Sequence, residues 1–277
     1  NATHRKDGLW AIDSYNGNIW STAADYLART AADAVMLQET RRLTRAGCDE
    51  AEQAARVLKW SMKVNEANTG EGGGASAGVA VGVRSHLGMT PPAVMELGDA
   101  NPMPARFALA TAGALAQGGV HLASVYLETT PAGVAAPANL DLLQSIAGVI
   151  KELVGPWIIG GDWNDTPEAL AATGFLEMVN GVICAPRRAT NLVSGRTIDF
   201  FVVARQLAHA VVGPFVVGDA ESNPHAPCRL LLRAHHRVVM VRQLDGPRGF
   251  AAVLPHGPPN KPPEASLGTA IAAEASI

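Results

Sequence analysis

The sequence predicts an α/β fold built on mixed β-sheets. Short apolar segments of strand length alternate with segments of helical periodicity, and several strand segments follow one another directly across glycine-rich turns. Strands that are joined directly pair antiparallel, whereas strands joined through a helix are commonly parallel. A mixed-sheet α/β sandwich therefore fits the pattern better than a strictly alternating parallel sheet. With 277 residues, 48% of them hydrophobic, one large domain can bury a substantial core.

Polar turns punctuate the first half of the chain. Four apolar residues open a strand at 9–12, and the polar run that follows, Ser14-Tyr15-Asn16-Gly17-Asn18, interrupts it. A helix is predicted to begin next, with Ser21 or Thr22 as its N-cap. The elements predicted after the first strand are a helix over 21–29, a strand over 34–38, a helix over 51–58, a glycine-rich loop over 69–74 and a strand over 78–83.

The second half contains one long helix among strands. Apolar residues recur at helical spacing over 138–154, which predicts a helix. The strands predicted around it cover 106–109, 120–127, 157–161, 198–203, 210–217 and 229–241. Beyond about residue 245, proline, glycine and alanine dominate, as in linkers. The predicted organisation is a catalytic domain over 1–245 and a tail or linker over 246–277.

Charge and composition exclude several classes of protein. The net charge is −3, which argues against strong autonomous duplex binding but not against phosphodiester chemistry, where a metal supplies positive charge. No apolar run approaches the roughly 20 residues of a membrane span, so no membrane partner is predicted. Cys48, Cys184 and Cys228 are sparse and widely spaced, which indicates a reducing, intracellular compartment. The first residue is not methionine, and we expect a piece of a larger polypeptide.

Five polar segments stand where apolar strands end. A carboxylate can hold a hard cation through oxygen, and an acid or a His–Asp pair can activate water. Amides and an imidazole can neutralise the charge that develops on a phosphate. Together these groups predict a site that hydrolyses phosphate esters. The segments are centred on Asn16, on Gln38-Glu39, on Asp162-Trp163-Asn164, on Asp199 and on His225.

Taken singly, these residues also have structural interpretations. Glu39 could be a solvated charge at a strand end, and Asp162 and Asn16 could be ordinary turn residues. Tyr126 in a strand could serve packing alone. Asp199 is different because it lies inside an apolar strand, where an unpaired carboxylate is expensive, so a partner is expected.

The ordered set resembles the endonuclease/exonuclease/phosphatase superfamily. The resemblance rests on Asn16, the Gln38-Glu39 pair, the segment 161–164, Ile198-Asp199 and the late His225, in the family's order. It extends over residues 8–242, with 77–85 and the strand that ends at Tyr126 between the motifs. It implies a DNase I-like fold, a four-layer sandwich of two mixed β-sheets flanked by helices. It also implies a Mg²⁺-dependent phosphodiesterase, with Mn²⁺ as an alternative cation.

The resemblance also implies roles around the metal and the attacking water. Glu39 would be the principal Mg²⁺ ligand, with Asn16 beside it. Asp162 would orient or deprotonate the attacking water.

Further roles concern the phosphate and the histidine. Asn164 would help to hold the phosphate, and Tyr126 would bind one of its oxygens. Asp199 would accept a hydrogen bond from His225 and fix the tautomer of the imidazole that faces the phosphate.

Two positions depart from the family's pattern. Pro224 stands where an aspartate usually precedes the final histidine, and Asn18 stands where many nucleases have an acid. The local sequence of 16–20 and 37–42 resembles endonuclease domains of retrotransposons, which predicts DNA as the substrate and a nuclear location if the chain derives from such an element. Two alternatives remain open: a phosphatase of small or lipid phosphates, favoured by the net charge, and a degenerate binding domain, suggested by Pro224.

Overall fold

The N-terminal strands belong to a six-stranded mixed sheet. The computed structural model describes residues 3–70, 72–91, 103–113, 118–218 and 224–233. The strands of this first sheet are β1 (Leu9–Asn16), β2 (Ala34–Gln38), β3 (Trp60–Val64), β6 (Val79–Arg84), β13 (Val211–Val216) and β14 (Cys228–Arg233). Their order is β13-β14-β1-β2-β6-β3. Only β1 and β2 are parallel neighbours; the other pairs in this described sheet are antiparallel.

A second six-stranded mixed sheet is formed by the middle of the chain. Its strands are β7 (Met89–Thr90), β8 (Phe107–Ala112), β9 (Val120–Tyr126), β10 (Trp157–Asp162), β11 (Gly181–Cys184) and β12 (Asp199–Ala204). Their order is β11-β12-β10-β9-β8-β7, and β9 and β10 run parallel. A separate hairpin of β4 (Asn68–Thr69) and β5 (Ala75–Ser76) flanks the predicted glycine-rich loop.

Helices cover the outer faces of both sheets. They are α2 (Trp20–Arg29), α3 (Arg45–Val57), α4 (Pro137–Glu152), α5 (Pro167–Ala171) and α6 (Phe175–Val179), and a short helix without buried residues, α1 (Thr3–Lys6), precedes β1. Leu27 of α2 and Ala51 of α3 pack in one apolar cluster with outward-facing residues of the first sheet. Ile146 of α4 belongs to the matching cluster on the second sheet, and a third cluster lies between the sheets. The predicted four-layer sandwich of two mixed sheets is confirmed. None of the helices described is long and apolar enough to cross a membrane.

The two sheets approach each other closely around Gly160 of β10. A Cβ built on Gly160 would lie 2.5 Å from Met36 Sδ and 3.1 Å from Ser14 Cβ, both on the first sheet. Beside it, the buried side chain of Gln38 donates from Nε2 to Ser124 Oγ at 2.9 Å. Ser124 Oγ donates in turn to the carbonyl of Leu37 at 2.8 Å. The glycine and these hydrogen bonds hold the two sheets together directly beneath the ends of the strands.

A buried ion pair fixes the last described strand, β14, to β1. Asp13 and Arg229 are register partners, and Arg229 Nε and Nη2 donate to the Asp13 carboxylate at 2.6 and 2.8 Å. Tyr26 and Thr30 donate to the same carboxylate from the helix side, at 2.5 and 2.7 Å. Each charge is thus paired and hydrogen-bonded, which is the condition for burying it.

Some predicted boundaries were wrong, each for a physical reason. The strand predicted over 9–12 continues to Asn16. Its polar residues Ser14 and Asn16 are buried, and they find hydrogen-bonding partners on the neighbouring strands or on the second sheet. The helix predicted over 51–58 begins at Arg45, where the Thr44 hydroxyl caps Gly47. The N-cap of α2 is Ile19, which makes no side-chain capping hydrogen bond. Ser21 and Thr22, the predicted N-cap residues, lie inside the helix.

Other predictions differ by a residue or two or concern residues that the structure does not describe. Strand β3 and strand β11 were not predicted. Strand β3 does alternate apolar and polar residues over Trp60–Val64, so this signal was missed, whereas β11 has only four residues and no clear alternation. The strand predicted over 229–241 is described up to Arg233. Residues 234–241, the tail over 246–277 and residues 114–117 of the turn between β8 and β9 lie outside the described residues.

Replacing Gly160 by alanine tests the close approach of the sheets. We expect Gly160→Ala to lower the free energy of unfolding by about 1–3 kcal/mol, because the new methyl group overpacks the contact with Met36. Urea denaturation measures the change. The matched control is Gly148→Ala in α4, where a Cβ meets nothing within 4 Å and should leave stability equal or higher. Equal unfolding free energies for the two variants would contradict the proposed tight contact.

Candidate active site

Three polar side chains stand side by side on the second sheet. Tyr126 at the end of β9 is the register partner of Asp162 at the end of β10. Asp162 is in turn the partner of Asp199, the first residue of β12. Both aspartates are at most 1% exposed. Because their strands are neighbours in the sheet, these three residues are adjacent although they are distant in sequence.

The first sheet brings Asn16 and Glu39 to the same edge. Asn16, the last residue of β1, is the parallel register partner of Gln38, the last residue of β2. Glu39 follows directly and has a φ of +55°, so the chain turns there and directs the carboxylate away from the strand. The Glu39 side chain is 12% exposed.

The Asn16 side chain bridges the two sheets. Its Nδ2 donates to Glu39 Oε1 at 3.1 Å and to Asp162 Oδ2 at 2.8 Å. Its Oδ1 accepts the backbone N–H of Asn18 at 2.9 Å. Asn16 lies beside Glu39, as expected, but in this arrangement its nitrogen, not its oxygen, faces the carboxylates.

His225 is paired with Asp199. Nδ1 of His225 lies 3.1 and 3.0 Å from the two carboxylate oxygens of Asp199, so this nitrogen carries the proton that Asp199 accepts. Nε2 is directed to the other aspartate, 3.7 Å from Asp162 Oδ2. The bond between His225 and Asp199 that the resemblance implied is present, and it leaves Nε2 as the nitrogen that faces the cluster.

The backbone around this pair is fixed by Thr190, a residue that the motif pattern did not reveal. Its hydroxyl accepts the N–H groups of Ile198 and Asp199 at 3.0 and 2.9 Å. Its carbonyl accepts the N–H of Ala226 at 2.7 Å. One threonine thus supports both members of the Asp199–His225 pair. No local signal in the sequence distinguishes it, because its partners lie on two other segments.

Asn164 and Tyr126 line the same edge. Asn164 has a φ of +51°, and its N–H donates to Asp162 Oδ1 at 3.0 Å. Its side-chain nitrogen donates to the carbonyl of Leu127 at 2.7 Å. Tyr126 hydrogen-bonds to Glu39, and the Arg106 guanidinium carbon lies 5.3 Å from the centre of its ring. Tyr126 borders a cleft of about 430 Å³ that extends to the β4–β5 hairpin.

Crowded carboxylates perturb the acid–base properties of the site. Burial raises the pKa of Asp162, and the neighbouring charge of Asp199 raises it further. Burial lowers the pKa of His225, but the hydrogen bond and charge of Asp199, with Asp162 and Glu39, outweigh it and raise the pKa to about 9. Burial also raises the pKa of Glu39, whereas hydrogen bonds from Arg41, Asn16 and Tyr126 lower it, with a net decrease.

The donor set fits a divalent cation. Ligand atoms of Asp162, Asp199 and His225 lie within 4.8 Å of one another, and Glu39 adds a third carboxylate through the Asn16 bridge. Oxygen-rich sets of this kind suit Mg²⁺ and Mn²⁺. A cation placed here would also offset the negative charge that raises the pKa of Asp162. Glu39 is the most exposed of the three carboxylates.

His121, on β9, lies away from the cluster. His121 is hydrogen-bonded to Thr111 at 2.8 Å and to the carbonyl of Val154 at 3.0 Å, which are structural contacts. His235 and His236 lie outside the described residues.

Comparison with known proteins decides the family. The model of the endonuclease/exonuclease/phosphatase family matches residues 17–227, most of the chain. The chain belongs to this family. No curated protein sequence gives a significant match. Membership of the endonuclease/exonuclease/phosphatase family supports hydrolysis of the nuclease type.

Solved structures share the fold of this family member. An AP endonuclease (LMAP) from Leishmania major is 14% identical, with a TM-score of 0.58, covering 82% of this chain and 89% of that one. An AP endonuclease from Archaeoglobus fulgidus is 14% identical, with a TM-score of 0.56 and coverage of 80% and 99%. The endonuclease domain of TRAS1, a telomere-specific non-LTR retrotransposon, is 16% identical, with a TM-score of 0.57 and coverage of 82% and 99%.

Replacing Asp199 by asparagine tests the electrostatics of the pair. We expect Asp199→Asn to lower the pKa of His225 from about 9, because the largest source of negative charge is removed while burial, which lowers the pKa, remains. The pH titration of the His225 ring resonances by NMR in EDTA measures this pKa. The exposed His209 provides an internal reference. An unchanged pKa of His225 in Asp199→Asn would contradict the assigned pairing.

Proposed function

We propose that this protein is a divalent-metal-dependent endonuclease that hydrolyses phosphodiester bonds in DNA. The observation that carries the proposal is the convergence of Glu39, Asp162 and the Asp199–His225 pair at one edge of the sandwich. Metal-assisted hydrolysis requires a carboxylate for the cation, a group that positions water and a group that offsets charge on the phosphate. The edge supplies candidates for all three.

Glu39 is the proposed principal ligand of Mg²⁺, with Asn16 beside it. When bound, the cation would polarise the phosphate and offset negative charge that develops on it. The Asn16 nitrogen donates to Glu39 and to Asp162, so it holds the carboxylates of the two sheets in one position relative to each other. Mn²⁺ fits the same oxygen donors.

Asp162 is the proposed group that orients or deprotonates the attacking water. Its raised pKa makes it a better proton acceptor than a solvated aspartate. The raised pKa of His225 keeps its imidazole positively charged at neutral pH, and Asp199 holds it so that Nε2 faces the cluster. A charged imidazole at this place would stabilise a phosphate oxygen. Asn164 and Tyr126 are the proposed further contacts to the phosphate.

Pro224 does not deprive His225 of support. The carbonyl of Pro224 accepts the N–H of Leu192 at 2.8 Å, and a β-bridge joins His225 to Asn191. Backbone bonds thus hold the histidine without the aspartate that the family usually has before it. This favours an active enzyme over a degenerate binding domain.

DNA is the proposed substrate for two reasons. The similar solved structures include two AP endonucleases and the endonuclease domain of a retrotransposon, and the resemblance of segments 16–20 and 37–42 points the same way. The exposed side chain of Arg41 also contacts Glu39 although the chain is acidic overall, which suits a local contact with phosphates. A catalytic domain over 1–245, a tail or linker over 246–277 and a nuclear location remain part of this proposal.

Cleavage of supercoiled plasmid tests the proposal. We expect nicking with Mg²⁺ or Mn²⁺, none with EDTA, and a decrease of about 10²-fold or more in Glu39→Ala and His225→Ala, the size typical of a lost acid–base or metal-binding group. Agarose gels of initial rates measure the effect. Glu50→Gln on the exposed face of α3 and His209→Ala are controls with the same residue types outside the site.

If the protein does not nick plasmid, a second function on the same fold can be tested. The net charge of −3 favours a phosphatase of small or lipid phosphates on the same fold. Release of inorganic phosphate from such esters, lost in Glu39→Ala, together with intact plasmid would replace the endonuclease by that phosphatase. A folded protein without metal-dependent turnover on either substrate would instead indicate a binding domain.

A further inference from the structure

Arg41 contacts Glu39, the proposed metal ligand, although a cation bound there would need the same carboxylate. Its Nε donates to Glu39 Oε2 at 3.1 Å, and its Nη2 also contacts that oxygen. Asn16 donates to the other oxygen, Oε1, at 3.1 Å. Arg41 therefore covers the carboxylate oxygen to which Asn16 does not donate.

The backbone of Arg41 is fixed, whereas its side chain can move. The N–H of Arg41 donates to the carbonyl of Ala77 at 3.1 Å, and the N–H of Thr40 donates to Gly78 at 2.9 Å. The side chain of Arg41 is 42% exposed, against 12% for Glu39. A rotation of the side chain would thus carry the guanidinium from Glu39 into solvent without moving the loop.

A cation and the Arg41 guanidinium would compete for the same oxygen. Two positive groups within a few ångströms repel each other, and a partly exposed ion pair contributes little to stability. A divalent ion at Glu39 would therefore displace Arg41 at small cost. A displaced guanidinium beside a phosphodiester site is well suited to a phosphate, which it can bind through two parallel hydrogen bonds.

We propose that a divalent cation displaces Arg41 from Glu39 and that the released guanidinium binds a phosphate of the substrate. The second half of this inference rests on the proposed function. Arg41 would then couple the binding of the cation to the binding of the phosphate. The cation would free the guanidinium to bind the phosphate, and by linkage the bound phosphate would strengthen the binding of the cation. Glu39 would keep its position in either case through Asn16.

Binding of Mn²⁺ to the 277-residue chain without nucleic acid tests the displacement. We expect Arg41→Gln to bind Mn²⁺ about three- to fivefold more tightly than the unaltered protein, because the competing ion pair is gone. Isothermal titration calorimetry, or electron paramagnetic resonance of free Mn²⁺, gives the dissociation constant. Arg29→Gln, which removes the same charge at the exposed end of α2, corrects for the general loss of positive charge. Equal or weaker Mn²⁺ binding by Arg41→Gln than by Arg29→Gln would overturn the inference.

Binding of a labelled DNA duplex tests the phosphate contact. With Ca²⁺, under conditions in which the duplex stays intact on a gel, fluorescence anisotropy should show that the cation strengthens binding several-fold less in Arg41→Gln than in Arg29→Gln. An equal gain in both variants would overturn the phosphate contact. Tighter Mn²⁺ binding by Arg41→Gln without plasmid cleavage by any variant would support the displacement and contradict the endonuclease. Plasmid cleavage together with an unchanged Mn²⁺ affinity of Arg41→Gln would support the endonuclease and contradict the displacement.

Discussion

Repulsion between carboxylates gathered at one edge is the constraint on which the site depends. Glu39 comes from one sheet, and Asp162 and Asp199 come from the other. Like charges at such distances oppose one another, and burial adds to the cost of keeping them ionised. The Asn16 nitrogen lies between two of these carboxylates and the imidazole of His225 lies beside two, so each acid has a donor. The apolar layer between the sheets holds the strands in place against the repulsion that remains.

The same constraint accounts for features farther from the site. Gly160 lets the second sheet lie against Met36, and Gln38 joins the sheets through Ser124. The Asn16 bridge requires this proximity, because a short amide side chain cannot span two sheets at an ordinary spacing of about 10 Å unless the strand ends converge. The geometry of the site therefore depends on the packing of the core. Small residues beneath the edge matter as much as the charged residues on it.

Much of the site could be predicted from the sequence because it lies at strand ends. Asp199 inside an apolar run required a partner on energetic grounds alone, and the structure supplies His225. Short apolar runs located most strands of both sheets, and the order of the motifs indicated the family. Such signals are local: a residue type, its immediate neighbours and its position relative to a turn are enough to reveal them.

The remainder depends on contacts between distant segments. The orientation of the Asn16 amide follows from Glu39 and Asp162, neither of which is near it in sequence. Strand β1 extends through polar residues because its partners satisfy them, and Thr190 acts on segments from two other parts of the chain. No local pattern encodes such relations. Arg41 was visible in the sequence, but only the fold shows which carboxylate it meets.

The ion pair that joins the first and last described strands, β1 and β14, has a consequence for the synthesis and folding of the protein. Asp13 and Arg229 are separated by 216 residues, and His225 lies on the same late segment. Contacts of such high sequence separation form late in folding, after the loop between them has closed. A nascent chain that has emerged as far as Asp162 holds Glu39 and Asp162 but neither Asp199 nor His225. The cluster therefore cannot be complete until the late segment that carries Asp199 and His225 has been synthesised.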